Sequence, residues 1–342
     1  MFQLGSPAPR ACVPPDGRRL HEITFRGSRL GTGLLYSVAM SHDRIVLLSY
    51  DDVTPHNVIS FRRAAAKRNI ELCEWIPHRI SVWCGDGHAE PLYENAAQDP
   101  GVIIHRTISR LQGVVAPALR LWERNGSRIL NELSASALAR DKLATAMRLT
   151  EAGLPVVPSV AFFPWESTAF SRLPAGGTVL KPAHGLQGRG VSFSATKEEA
   201  EIEARAIQWA DAREILSEHW IAQPVIGPVG RDIRAYVVNG TCVALARRIA
   251  SDPNEPRANL TLGAVATPLP FGHPAASLAV AATGAVGLDF AGVDMVEDAE
   301  GGLQILEVDA WAGFAGLEYA TGADISGRIL DMAAEKLGNG NT

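Results

Sequence analysis

The sequence predicts an α/β fold that becomes α+β toward the C-terminus. From Ser41 onward, short apolar runs alternate with helical stretches, the pattern of a parallel sheet covered by helices. After Pro158 the rhythm changes to paired strands, with Asn239-Gly240 between two long ones as a strong hairpin signal. Near the C-terminus, residues 291–296 and 303–309 are short β-rich runs separated by a turn-like Glu297-Asp298-Ala299-Glu300-Gly301-Gly302.

Taken in order, residues 1–40 hold Pro7, Pro9, Pro14 and Pro15 but no apolar core of signal-peptide type, and are expected to be a partly disordered leader. Residues 41–133 form the first domain. Its strands are predicted at 44–50, 70–75, 101–106 and 127–131, with helices at 58–68 and 116–124, the second ending on the Asn125-Gly126 C-cap signal. A long helix over 134–151, closed by Gly153 and Pro155, links it to a central unit reaching residue 225. That unit has strands at 177–181, 190–193, 214–217 and 220–225 and a charged helix at 197–210. Residues 226–342 form the last unit, with strands at 233–238 and 241–248, the carboxylate hairpin, and an amphipathic helix at 324–336.

Composition narrows the function. A hydrophobic fraction of 46% and a charged fraction of 20% describe a globular chain, and 342 residues suffice for two or three domains. Thirty-two basic against 37 acidic residues leave no nucleic-acid signature. No run approaches the roughly 18 apolar residues of a spanning helix, so no membrane partner is expected. Cys12, Cys73, Cys84 and Cys242 lack metal-ligand spacing and read as reduced thiols, which points to the cytoplasm.

The chemistry-bearing residues start with the hairpin. Strand periodicity places Glu307 and Asp309 on one face, and the loop length puts Asp294 opposite or diagonal to Glu307. Three carboxylates on one face repel unless a cation lies between them, and oxygen-only ligands suit Mg²⁺ or Mn²⁺ serving bound phosphates. Solvated acids are the other reading. Lys181 ends a buried strand and is followed by a loop with Gly185, Gln187, Gly188 and Gly190, whose backbone can approach phosphate oxygens. The loop has no Walker A ending and runs strand to strand, and by itself a plain turn explains it too. Arg234 shares a strand face with Tyr236 while Ile233, Ala235 and Val237 pack, and Arg247, Arg248 and Arg257 follow. Arginines facing carboxylates suit charged substrates bridged by metal, with surface salt bridges as the alternative.

The order Asp141-Lys142, Val179-Leu180-Lys181-Pro182, Gly230-Arg231-Asp232-Ile233-Arg234, Arg257-Ala258-Asn259-Leu260, Gly292-Val293-Asp294 and Glu307-Val308-Asp309 resembles the ATP-grasp superfamily. Within it, the chain is most similar to the group of the ribosomal protein S6 glutamate ligase and related cofactor glutamate ligases. The resemblance runs from about Arg128 to Ile329. It implies an ATP-grasp fold: an N-terminal βαβ domain and two α+β subdomains gripping ATP. It also implies that Lys142 and Lys181 contact ATP phosphates and that the loop at Gly185, Gln187, Gly188 and Gly190 closes over them. Gln223, Pro224 and Val225 would form the adenine hinge, with Asp232 on the nucleotide side. Arg234 and Arg248 would bind the acyl-phosphate or substrate carboxylate, with Arg257 and Asn259 nearby, and Asp294, Glu307 and Asp309 would hold Mg²⁺ or Mn²⁺.

The implied reaction is an ATP-dependent ligation. ATP phosphorylates a carboxylate, and an amino acid's amine, with glutamate as the family's example, displaces phosphate to give an amide. The carboxylate would belong to a small molecule, cofactor or peptide, and a homo-oligomer is left open. A phosphotransferase without amide formation and a non-catalytic nucleotide scaffold are the alternatives. The chemistry needs no nucleophilic side chain, and His184 is the one acid–base candidate in the loop. Two departures stand out: Asp309 occupies the position of a usual Asn, and Trp311-Ala312-Gly313-Phe314 replaces the family's small-Pro-Gly on the substrate side.

Overall fold

The computed structural model describes residues 44–338 apart from 50–54, 107–111, 163–166, 185–189, 211–218 and 253–254. The predicted leader, the strand at 214–217 and the loop residues Gly185, Gln187 and Gly188 therefore lie outside the described residues. The first elements are β1 (Ile45–Ser49), α1 (Pro55–Arg68), β2 (Leu72–Trp75), β3 (Ile80–Gly85), β4 (His88–Tyr93), β5 (Ala96–Ala97), β6 (Val102–Arg106), α2 (Gln112–Arg124) and β7 (Arg128–Leu130). Strands β2-β1-β6-β7 form a parallel sheet, as the βα alternation predicts. Both of its faces are covered, so β1 and β6 are buried throughout. Leu47 and Ile104 face Phe61 of α1, while Val46 and Ile103 face Trp122 of α2.

Strands β3-β4-β5 make a small antiparallel meander that the sequence reading does not contain. Its strands are half exposed and interrupted by Trp83, His88 and Pro91, so neither a clean alternation nor a continuous apolar run marks them.

The predicted helix over 134–151 is two helices, α3 (Leu133–Arg140) and α4 (Lys142–Glu151). Asp141 breaks it. Its backbone is extended (φ −92°, ψ 110°) and its carboxylate accepts from the Leu143 and Ala144 amides, capping α4. Next come β8 (Val160–Phe162), β9 (Thr178–Pro182), β10 (Ser192–Ser194), α5 (Lys197–Ala210) and β11 (Trp220–Pro224), giving an antiparallel sheet of order β10-β9-β11-β8. The glycine-rich segment thus joins two antiparallel strands, as expected.

The last elements are β12 (Arg231–Val238), β13 (Thr241–Ile249), β14 (Val265–Pro268), α6 (Pro274–Val286), β15 (Phe290–Glu297), β16 (Leu303–Asp309), α7 (Ala315–Thr321) and α8 (Ile325–Gly338). The strands form an antiparallel sheet of order β14-β13-β12-β15-β16. The β12–β13 turn is at Asn239-Gly240, with φ of 48° and 70°, the left-handed pair such a hairpin needs. One sheet face packs Ile233, Ala235, Val237 and Leu245 against α6 and the α3–α4 pair. On the other, Tyr236, Val238 and Phe290 share a core with α1, α8 and the parallel sheet.

Asn131, just past β7, joins the two sheets. Its Oδ1 accepts from the Phe290 amide (2.9 Å), and its Nδ2 donates to the carbonyls of Phe290 (2.8 Å) and Ala310 (3.3 Å). All three partners are buried. Asn131→Ala leaves the Phe290 amide unsatisfied in the core and should lower stability by about 1–3 kcal/mol. Urea denaturation with an unchanged m-value is the check, and wild-type stability would contradict this account.

Candidate active site

Strand parity builds the site. Ile233, Ala235 and Val237 of β12 point into the α6 core, so Asp232 and Arg234 point the other way, toward the cleft. Cross-strand pairing then sets their neighbours: Asp232 opposite Arg248, Arg234 opposite Asp294, Asp294 opposite Glu307, and Gly292 opposite Asp309. The hairpin register expected for Asp294 and Glu307 is the one found, and Glu307 and Asp309 line the same cleft.

The central feature is an ion network. Arg248 donates two hydrogen bonds to Asp232 (2.7 and 2.6 Å) and a third to Asp294 (2.9 Å). Arg234 forms a bidentate pair with Asp294, through Nε to Oδ1 and Nη2 to Oδ2. Burial, and then the neighbouring Asp294 charge, push the Asp232 carboxyl up to about 6. Burial acts on Asp294 in the same direction, but Arg234 and Arg248 overcome it and hold that carboxyl below its ordinary value. Gly292 leaves the room this requires: a Cβ there would stand 2.3 Å from Ala312 Cβ and 2.9 Å from Arg234 Nη1.

The lysines face this network. Lys181 is buried in β9, and burial pulls its ammonium down to about 8, against the opposing pull of Glu307. Lys142, the first residue of α4, donates to the Ala183 carbonyl (3.4 Å). Gln223, Pro224 and Val225 line the cleft, the Gln223 amide donating to Ser159 Oγ (2.8 Å). Arg257 lines it too and pairs with Glu255 (2.7 and 2.8 Å), beside Asn259. Gly190 completes the set. Every described residue to which the resemblance gives a role thus borders one cleft of about 1970 Å³, whereas Arg247 pairs with Glu297 (2.6 Å) outside its lining. His184 is at its edge, 3.9 Å from Asp141, with His219 at 3.9 Å from the other Asp141 oxygen.

The carboxylates are not equivalent. Among the described residues no three His, Cys, Asp or Glu side chains form a ready-made metal cage, because Asp294 is drawn to its arginines. Glu307 and Asp309 fit a hard cation better. Burial, followed by Glu307, pushes the Asp309 carboxyl up, against the opposing pull of the Trp311 amide, Arg234 and Arg106. Asp309 Oδ1 accepts from the Trp311 amide (2.8 Å), which leaves Oδ2 for a ligand.

Sequence reasoning missed the far wall. His56, Asn57, Ser60 and Arg63 of α1 border the cleft, as do Arg140 and Tyr319, while Trp311, placed on the substrate side from the sequence, lines it as well. Their only sequence signal was polarity on one side of α1, which is equally expected of a solvated helix face.

Residues 166–333 match the family model described as a RimK-like ATP-grasp domain. Over 293 residues the chain is 34% identical to a ribosomal protein bS6–L-glutamate ligase of Salmonella newport, covering 84% of this chain and 94% of the relative. It is 32% identical, with the same coverage, to a probable alpha-L-glutamate ligase of Citrobacter koseri. Among solved structures, the ATP-grasp ligase PsnB complexed with a minimal precursor superposes with a TM-score of 0.65 at 21% identity, covering 86% of this chain and 99% of that one. The D-cycloserine synthetase DcsG gives 0.63 at 22% identity, covering 86% and 99%.

The ion network makes a stability prediction. Arg248→Met strands the buried Asp232 and removes one donor from Asp294, so it should cost about 3–5 kcal/mol. Thermal and urea unfolding measure it, and a loss below about 1 kcal/mol would place these groups in effective contact with water.

Proposed function

The chain belongs to the RimK-like ATP-grasp family, and from that premise we propose how its residues divide the work of an ATP-dependent carboxylate–amine ligase. The observation that carries the reading is the single cleft in which two lysines face two crowded carboxylates, with two arginines held behind them. Lys142 and Lys181 bind the ATP phosphates, and Gln223, Pro224 and Val225 hold the adenine end. The loop at Gly185, Gln187, Gly188 and Gly190 covers the phosphates, and Asp232 acts through Arg248. Glu307 and Asp309, with Asp294 behind them, would hold Mg²⁺ or Mn²⁺. A divalent cation there supplies charge neutralisation for the β- and γ-phosphates.

In the first step a substrate carboxylate oxygen attacks the γ-phosphorus and the bond to the β-phosphate oxygen breaks, releasing ADP. In the second, the amine nitrogen attacks the acyl carbon. Phosphate leaves with the former carboxylate oxygen, and the nitrogen loses a proton. The resident groups position anions and neutralise charge rather than attack. Arg234 keeps Nη1 clear of its bidentate pair, so this donor, with Arg248, is assigned to the acyl-phosphate or substrate carboxylate. Arg257 and Asn259 border the acceptor end. Glutamate is the first amine to test, because the relatives are named as glutamate ligases, and a peptide or small molecule supplies the carboxylate. ADP release that requires carboxylate and amine together supports this reading. Release indifferent to the amine would replace ligation with simple phosphoryl transfer.

Lys181→Ala and Lys142→Ala should each weaken ATP binding by about 1.5–3 kcal/mol, the worth of a charge-assisted contact. Calorimetric titration is the measurement, and unchanged affinity in both variants would remove the lysines from the phosphate site. Lys181 also predicts a pH dependence. Its ammonium must be charged to bind phosphate, and its value in the free protein is about 8. Affinity should be full below pH 8 and decline as the pH rises above it. Lys181→Arg should move that decline to higher pH.

Asp309 gives the sharpest test. Asp309→Asn should retain activity, because the amide oxygen can still coordinate while the repulsion with Glu307 disappears. Asp309→Ala should lose it. Steady-state ADP release at saturating Mg²⁺ decides, and full activity of Asp309→Ala would place Asp309 outside the cation site.

A further inference from the structure

The segment following Asp309 is held largely by side chains of the N-terminal sheet. Arg106 ends β6 and is only 4% exposed. Its Nη2 donates to the carbonyls of Trp311 (3.0 Å) and Ala312 (2.9 Å), and its guanidinium lies 5.1 Å from the Phe314 ring centre. Among the described residues it makes no ion pair, and its Nε and Nη1 have no hydrogen-bond partner. Its charge also acts on the Asp309 carboxyl and the Tyr236 hydroxyl, but a buried guanidinium without a carboxylate in direct contact is costly to retain for stability, because a neutral residue could pack there without the desolvation penalty.

The rest of the restraint comes from two neighbours. Asn57 Oδ1 accepts from the amides of Phe314 (3.2 Å) and Ala315 (3.0 Å). Asn131 holds the Ala310 carbonyl, which belongs to the peptide whose Trp311 amide donates to Asp309. Backbone groups on both sides of Trp311 are therefore fixed from the parallel sheet, and the peptide so fixed determines where the Asp309 carboxylate can sit.

We propose that Arg106 is a positioning residue for the ligation: it holds the 310–315 segment, with Asn57 and Asn131, so that Asp309 is aimed into the cleft. It is not among the residues that line the cleft. It acts through a peptide plane, and a displacement well under the length of a bond vector at that plane carries over to the carboxylate. The proposal rests on Asp309 being part of the cation site.

The test separates kcat from KM. Arg106→Met keeps the bulk and removes every donor. It should lower kcat about tenfold or more while leaving KM for ATP within about twofold of wild type, since the lysines that bind phosphate lie on other elements. Arg106→Lys, which can still reach one carbonyl, should recover part of the loss. Unchanged kcat in folded Arg106→Met, or a parallel loss of ATP affinity, would overturn the proposal. If Arg106→Met does not fold, Asn57→Ala cuts the other end of the same restraint; the same split is expected, and unchanged kcat again overturns it. Asp309→Ala run alongside distinguishes the failures. If it is active, the cation-site reading has failed; if it is inactive while Arg106→Met and Asn57→Ala are unaffected, only the positioning role has.

Discussion

Four charged groups buried on one face of one sheet, Asp232, Arg234, Arg248 and Asp294, are the constraint around which the rest is arranged. None could be buried alone. Each has been taken from water into a site where an unpaired charge costs several kcal/mol, and what makes the arrangement tolerable is mutual satisfaction through bidentate geometry. That satisfaction depends on register. Asp232 meets Arg248 and Arg234 meets Asp294 only because β12 pairs with β13 and β15 as it does. A slip of one residue would turn Ile233 and Ala235 toward the cleft and drive the charges into the α6 core. The network therefore penalises wrong pairings more heavily than it stabilises the right one.

The network also determines what remains for chemistry. Its two arginines offset its two aspartates, so it adds no net charge to the cleft. Lys142 and Lys181 similarly offset Glu307 and Asp309. Where these two lysines and two carboxylates face each other, a polyanionic nucleotide would bring negative charge that they do not offset, and a divalent cation beside Glu307 and Asp309 would compensate it. The raised Asp309 carboxyl and the lowered Lys181 ammonium are two views of one circumstance. In both, loss of water around the charge is the largest cause of the shift. Preorganisation of this kind has its cost met in folding, so that less reorganisation is needed when charge develops during reaction.

Much of this was legible from residue spacing. The alternation along residues 232–238 placed Arg234 with Tyr236 and against Ile233, Ala235 and Val237, and the loop length of the hairpin put Asp294 opposite or diagonal to Glu307, of which the structure has the first. Strand parity is local, which is why it can be read. What was not legible was either non-local or ambiguous. Asp141 sits in an apolar helical pattern that continues on both sides, so its role as the cap of α4 shows only in the backbone bend. Helix α6 is buried on several sides, with Ala275, Ala279 and Ala282 inside, and lacks the polar stripe by which an amphipathic helix is found. The engagement of Asp294 by two arginines depends on three strands meeting, which no local pattern in the sequence shows. Arg106 reaches carbonyls 205 and 206 positions away; at the sequence level only a charge at the end of an apolar strand marked it.

The placement of Glu307 and Asp309 on β16 raises a last structural question, because β16 is an edge strand of its sheet. Edge strands are paired on one side only and hold their side chains less rigidly. Two supports make up the difference. At the start of the strand, the Ile305 amide donates to the Pro155 carbonyl (2.8 Å) and its carbonyl accepts from the Val157 amide (3.0 Å), so the connection leading into β8 acts as a short parallel partner. At the end, Asn57, Arg106 and Asn131 hold residues 310–315. The two carboxylates thus lie between a restraint from the N-terminal sheet and one from the link to the central sheet, where Lys181 resides. Lys181 of the central sheet and the two carboxylates of the last sheet line one cleft, and β16 is the strand on which the restraints from the other two sheets meet. Its position at the edge, a weakness in a sheet considered alone, is what allows both to reach it.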